Sequence, residues 1–142
     1  MSIFSRIMVP LELSESGLDK AALDKALDLA ALEESTLRLI HVVPLTPAFL
    51  ADYVPLDFDL QQTASVKQEL DLIASDTGLE DRVTVVVRQG GVYHEILEEA
   101  IKPQIDLIVM SSHRPDMRDY LIGSNAGRVV RHATCSVLIV RH

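Results

Sequence analysis

Residues 105–140 leave this chain few folds to choose from. Leu107-Ile108-Val109-Met110 is an uninterrupted apolar run behind Asp106, and Val137-Leu138-Ile139-Val140 is another. Between them, Gly123-Ser124-Asn125 leads into Ala126, Val129, Val130 and Ala133, apolar positions at helical spacing. Strand, loop, helix, strand is a βαβ unit, and strands without polar alternation suit a parallel sheet covered on both faces. The loop after such a strand lies at the carboxyl edge of the sheet, where open α/β folds bind ligands. Gly-Ser-Asn opening a helix presents backbone N–H groups and the positive end of the helix dipole, which suits a phosphate. The segment predicts a phosphate-bearing small ligand.

The rest of the chain repeats the alternation. Arg6-Ile7-Met8-Val9 is a short strand halted by Pro10, and Ser14-Glu15-Ser16 supplies N-cap candidates for a helix over 18–32, with Leu18, Ala22, Leu29 and Leu32 apolar. Residues 37–43 form a second strand, broken only by Arg38 and His41. Residues 44–58 hold Pro44, Pro47 and Pro55 without a clean period and read as a long mobile connection rather than an element. Its Phe49, Leu50 and Tyr53 are apolar enough to dock as a lid on the carboxyl edge.

A third helix-and-strand unit starts near Gln61. Val66, Leu70, Ile73 and Ala74 make its apolar face and Gly78 its C′ stop. Residues 82–87 are a strand, Gly90-Gly91 a turn, and Ile96, Leu97, Ala100 and Ile101 the face of a helix ended by Pro103. The expectation is one domain over residues 1–142. It is a doubly wound five-stranded parallel sheet, flavodoxin- or Rossmann-like, in the order 3-2-1-4-5 with right-handed crossovers.

Composition narrows the class. At 142 residues the chain has room for one ordinary core, and with 48% hydrophobic but only 4% aromatic residues that core is aliphatic. A net charge of −8 argues against a general nucleic-acid binder. Cys135 is the only cysteine, which fits a reducing compartment. No signal peptide and no apolar run of about 20 residues is visible. The reading is a soluble cytoplasmic protein with no membrane contact.

The carboxyl ends of the first and fourth strands carry Pro10-Leu11-Glu12 and Met110-Ser111-Ser112-His113-Arg114. A switch-point crevice would bring these loops together with Gly123-Ser124. Glu12 could accept a hydrogen bond from a base amino group or hold a metal through water; otherwise it is a solvated acid favourable to the next helix dipole. Gly123-Ser124 is either a phosphate cradle or an ordinary turn and cap. Arg114 either reaches a phosphate or is an exposed loop cation.

Other candidates carry less. His41, His94, His113, His132 and His142 do not fall at metal-ligand spacing. His113 beside Ser111 and Ser112 lacks a nucleophile elbow. His132 and Arg131 sit where a helix C-terminus favours cations. Cys135 reads as a small buried hydrophobe. No Walker or G-x-G-x-x-G motif occurs. Nothing demands an enzyme, so no catalytic residue and no metal site are assigned.

The opening RIMVPLELSES and the closing LIVMSSHRPDMRDYLIGSNAGRVVRHATCSVLIVRH resemble the universal stress protein family, and the closing wording is similar to its F-type subgroup. The resemblance covers essentially the whole chain and is only topological near residues 44–62. It implies ATP, with or without Mg2+, in the crevice, slow ATP hydrolysis or autophosphorylation at most, and a homodimer through the last strand, residues 136–140. It also implies that Val9 and Pro10 border the ribose, Glu12 lies near the base, and Val42 and Met110 sandwich the adenine. Gly123, Ser124 and Asn125 would hold the phosphates, with Ser111, His113 and Arg114 completing the cradle.

The family's nucleotide-binding signature is G-x-x-G-x9-G-[ST]. Here Ser111 and Arg114 stand at the leading glycines, and residues 115–122 are eight rather than nine. These departures read as an alternative cradle in which Arg114 supplies charge. Two function classes follow: a nucleotide-gated interaction module of the stress response, and an ATP-independent dimeric interaction protein whose crevice takes no nucleotide.

Overall fold

A computed structural model describes residues 3–13, 20–112 and 124–141, Glu80 by its backbone alone. The expected N-cap candidates Ser14, Glu15 and Ser16, and Leu18, lie outside the described residues, as do His113, Arg114 and Gly123. Along the chain run β1 (Arg6–Pro10), α1 (Lys20–Glu33), β2 (Thr36–Val43), α2 (Phe58–Asp76), β3 (Val83–Gln89), α3 (Val92–Ile101), β4 (Leu107–Ser111), α4 (Ser124–His132) and β5 (Ser136–Val140). The strands form one parallel sheet in the order β3-β2-β1-β4-β5, as the alternation predicts.

Period-2 alternation in the strands sends side chains to two cores. Ile7, Val9, Leu37, Leu39, Leu107 and Val109 pack with α1 and α2 on one face. Met8, Ile40, Val42, Ile108 and Met110 pack with α3 and α4 on the other. Central strands buried on both faces explain the unbroken apolar runs.

The helices correct the expected faces. In α1 the expected Ala22 is buried together with Ala26 and Ala30, and the expected Leu29 packs partly buried against the same core, while Leu32 is 83% exposed. Alanines four apart let the helix axis approach the strands closely, and leucine at those positions would hold it off. The α2 face is as expected, with Leu70 fully buried and Val66, Ile73 and Ala74 packed around it. Ile101 of α3 and Val130 of α4 turn to solvent. Ile96 of α3, and Ala126 and Val129 of α4, carry the packing.

The connection over 44–58 is not structureless. Ala48–Tyr53 form a 3-10 helix after Pro47, and α2 begins at Phe58, earlier than its apolar period suggests. Pro47 and Pro55 fix φ just ahead of two turns, closed by Leu50 N–H donating to Pro47 O at 2.9 Å and Phe58 N–H to Pro55 O at 3.1 Å. Beyond α2, Gly78 takes φ +76 as a C′ residue should. Gly90 (φ +146) turns β3 into α3, where an added Cβ would meet the Glu95 Cγ at 3.0 Å.

That contact matters because Glu95 is ionically engaged. Arg88 Nε donates to Glu95 at 2.8 Å and its Nη1 to Glu99 at 3.0 Å, while Arg38 reaches the other Glu99 oxygen at 3.1 Å. Hydrogen bonds to Glu95 and then Glu99 raise the Arg88 pKa further above its ordinary value. A raised pKa on a base adds stability that is complete below its unfolded value and lost only above it. The Arg88 charge is therefore constant at physiological pH. The network straps α3 across β2 and β3.

Asp106 ties the chain's beginning to β4. Its carboxylate accepts Ser5 N–H at 2.8 Å and Arg6 N–H at 3.1 Å, and its own N–H donates to Arg6 O at 2.9 Å. Asp106→Ala should lower stability by about 1–3 kcal/mol in urea unfolding, the range for charged hydrogen bonds partly replaceable by water. An unchanged midpoint would show that the clasp contributes nothing.

Candidate functional site

The sheet has one internal seam where neighbouring strands part. β1 pairs with β2 over five positions and β4 with β5 over five, but β1 and β4 pair only at Ile7–Leu107 and Met8–Ile108. The reason is in the sequence. Leu11 N–H donates to Ile40 O at 2.8 Å, so by alternation the Pro10 nitrogen faces β4. Proline has no N–H, and the next rung of the β1–β4 ladder is missing. Each strand instead stays with its outer neighbour: Leu11 continues onto β2, and Ser112 N–H donates to Val140 O of β5 at 3.0 Å. The crossover from β1 runs toward β2 and that from β4 toward β5, so this seam is also the topological switch point.

The structure gathers several expected site residues at this edge. Val42 and Met110 lie on the same face of the sheet, both in the α3/α4 core, and Pro10 lies between their strands on that face by alternation with Met8. Val9 is different: its side chain is fully buried in the α1/α2 core, so only its backbone borders the seam. Glu12 is exposed just past β1, Ser111 is half-buried at the end of β4, and Ser112 is fully buried behind it. The parallel crossover from β4 to β5 starts α4 on the carboxyl side, with Ser124 exposed and Asn125 half-buried in its first turn. Ala126 and Val129 anchor that helix, which leaves the N–H groups of its first turn as the electropositive end.

One residue was missed as a contributor. His41 Nδ1 lies 2.7 Å from Leu11 O. A carbonyl oxygen only accepts, so Nδ1 carries the proton, and the ring braces the loop that presents Glu12. The signal was available: a polar residue inside an apolar strand, two before its end, sits beside the carboxyl edge.

Among the described residues no three His, Cys, Asp or Glu side chains assemble to hold a metal ion. Burial raises the Cys135 thiol pKa, with a small addition from Asp106, which lowers its thiolate fraction and hence its reactivity. His132 stacks on Tyr93 with centroids 6.3 Å apart, and the Arg128 cation lies 5.1 Å from the same ring, so these two side chains join α4 to α3. Among the described residues no helix is long and apolar enough to cross a membrane.

The arrangement is a parting of two strands at a switch point, with Val42, Met110 and Pro10 on one face of the sheet and the amino end of α4 toward the same carboxyl side. Solved structures share it as a fold. The universal stress protein UspA from Lactobacillus plantarum superposes with a TM-score of 0.78 at 23% identity, over 97% of this chain and 98% of that one. A universal stress protein solved in complex with cAMP gives 0.73 at 18% identity, over 99% of each chain. In sequence, universal stress protein G of Shigella flexneri is 30% identical over 144 residues, spanning 98% of this chain and 100% of the relative. The model of the universal stress protein family matches residues 4–141. The chain belongs to the universal stress protein family.

Proposed function

We propose that this protein is a cytoplasmic, homodimeric stress-response module that binds ATP in the β1–β4 seam and whose contacts with a protein partner depend on that occupancy. The observation that carries the reading is the parting of β1 and β4 beyond Met8 and Ile108, with α4 opening on the same edge. The groups fit an adenine nucleotide. Val42 and Met110 offer apolar contact to a base, Glu12 an acceptor for its amino group, and Pro10 and the Val9 backbone a border to the ribose. Ser111, His113, Arg114, Gly123, Ser124 and Asn125 would surround the phosphates, with Mg2+ offsetting charge when it is present. The family member solved with cAMP supports a nucleotide of this class.

Serine and arginine at positions 111 and 114, where the family signature has glycines, favour the second reading, an ATP-independent dimeric interaction protein. One substitution separates the two. A carboxylate at Ser124 would repel phosphates yet complement the helix dipole. Ser124→Asp should weaken ATP in calorimetry by roughly tenfold to a hundredfold, the worth of about 1.5–3 kcal/mol, while the melting temperature without ATP stays put. Arg114→Ala should weaken ATP more than AMP. ATP binding that survives Ser124→Asp intact would overturn the phosphate assignment.

The homodimer reading rests on β5. Among the described residues it has a neighbouring strand on one side only, and Leu138 is 38% exposed along it. An apolar strand edge of this kind is covered most economically by a two-fold copy. Leu138→Lys should sediment as monomer where the native chain sediments as dimer; a dimer that persists would place the interface elsewhere.

A further inference from the structure

Six large apolar side chains fall within the short segment from Leu45 to Leu60. Leu45, Phe49, Leu50, Tyr53, Leu56 and Leu60 are all exposed, Phe49 at 78%, Tyr53 at 83% and Leu60 at 75%. They occupy the 3-10 helix Ala48–Tyr53, its flanks and the first turn of α2, and no residue of the 3-10 helix is buried. The stretch is nevertheless built. Thr46 donates to the Asp59 carboxylate at 2.9 Å, Gln61 to Asp57 at 2.7 Å, and the two proline-led turns close on either side. Soluble proteins seldom leave so many apolar side chains together in water unless something docks there.

The charges select the occupant. Between residues 44 and 66 the only charged side chains are Asp52, Asp57 and Asp59. An anionic membrane would be repelled, and so would a nucleotide triphosphate, which argues against this stretch closing over the seam as a lid. Two copies of the patch face to face would set aspartates against aspartates. The chain's own β5 edge cannot cover it either, since β1 and β4 lie between β2, from which the stretch emerges, and β5. What fits is an apolar stripe flanked by cations, the pattern of a basic amphipathic helix laid on an apolar surface.

We infer that the exposed apolar and acidic surface from Leu45 to Leu60 is a docking site for a basic amphipathic helix of another protein. The inference is independent of whether ATP binds.

The probe is a fluorescein-labelled helical peptide of leucines and lysines, about 18 residues or five turns long, with a leucine–glutamate peptide of equal length as its counterpart. Fluorescence anisotropy on the full chain should show saturable binding of the lysine peptide only, weakening as salt rises. The double variant Phe49→Ser, Tyr53→Ser should lose at least about tenfold, the effect of removing anchor side chains. Leu32→Ser on α1, equally exposed but remote, should lose nothing. Asp52→Lys should weaken the lysine peptide and admit the glutamate peptide, a gain that misfolding cannot mimic.

Equal binding by native chain and double variant would overturn the inference, since attraction to the overall −8 charge would then explain it. It would fall equally if sedimentation showed the double variant losing an oligomer while the lysine peptide never bound. The basic stretch from Arg128 to Arg141 of a second copy would then be the occupant.

Discussion

The seam between β1 and β4 organises this molecule, and its two ends are built oppositely. At the amino end, the Asp106 carboxylate and N–H make three bonds to Ser5 and Arg6, so β1 and β4 start locked together. At the carboxyl end, Pro10 withholds the N–H that would extend the ladder, and the strands leave each other for their outer neighbours. A parallel sheet with both faces covered has few places where a ligand can meet backbone. One missing donor makes such a place without costing the core anything, because Leu11 and Ser112 still find partners on β2 and β5.

Much of this was legible in the sequence because the strands are buried on both sides. Unbroken runs such as Leu107-Ile108-Val109-Met110 announce a parallel sheet, and the helical period between them forces crossovers and hence the strand order. The helix faces were less legible. Period found Ala22, but in α1 the sheet also takes Ala26 and Ala30, holds Leu29 only partly buried and leaves Leu32 in water. Apolar period says which residues share a side, whereas close approach of backbone to backbone selects the small ones. The 3-10 helix at Ala48–Tyr53 was hidden for a related reason: it buries nothing, so it has no apolar period to read. His41 was visible only as an interruption, and its bond to Leu11 needed the register of β1 against β2.

The chain's charge is divided as its topology is. The stretch leaving β2 carries only aspartates, while residues 124–142 carry arginines and histidines and no carboxylate side chain. The acidic surface lies off β2, on the opposite side of the seam from the edge strand β5. A nucleotide in the seam would put its phosphates toward the cationic side, at the start of α4, and leave the acidic apolar surface to a protein partner. This partition would serve ligand and partner together without competition for one surface.

The most direct test of the seam is an amide NMR titration with ATP. Nucleotide in the seam predicts saturable shifts clustered at Leu11 and Glu12, at Ser111 and Ser112, and at Ser124 and Asn125, with β3 and the 3-10 helix Ala48–Tyr53 unmoved. No saturable shift, or a cluster lying away from the carboxyl edge of β1 and β4, would contradict it.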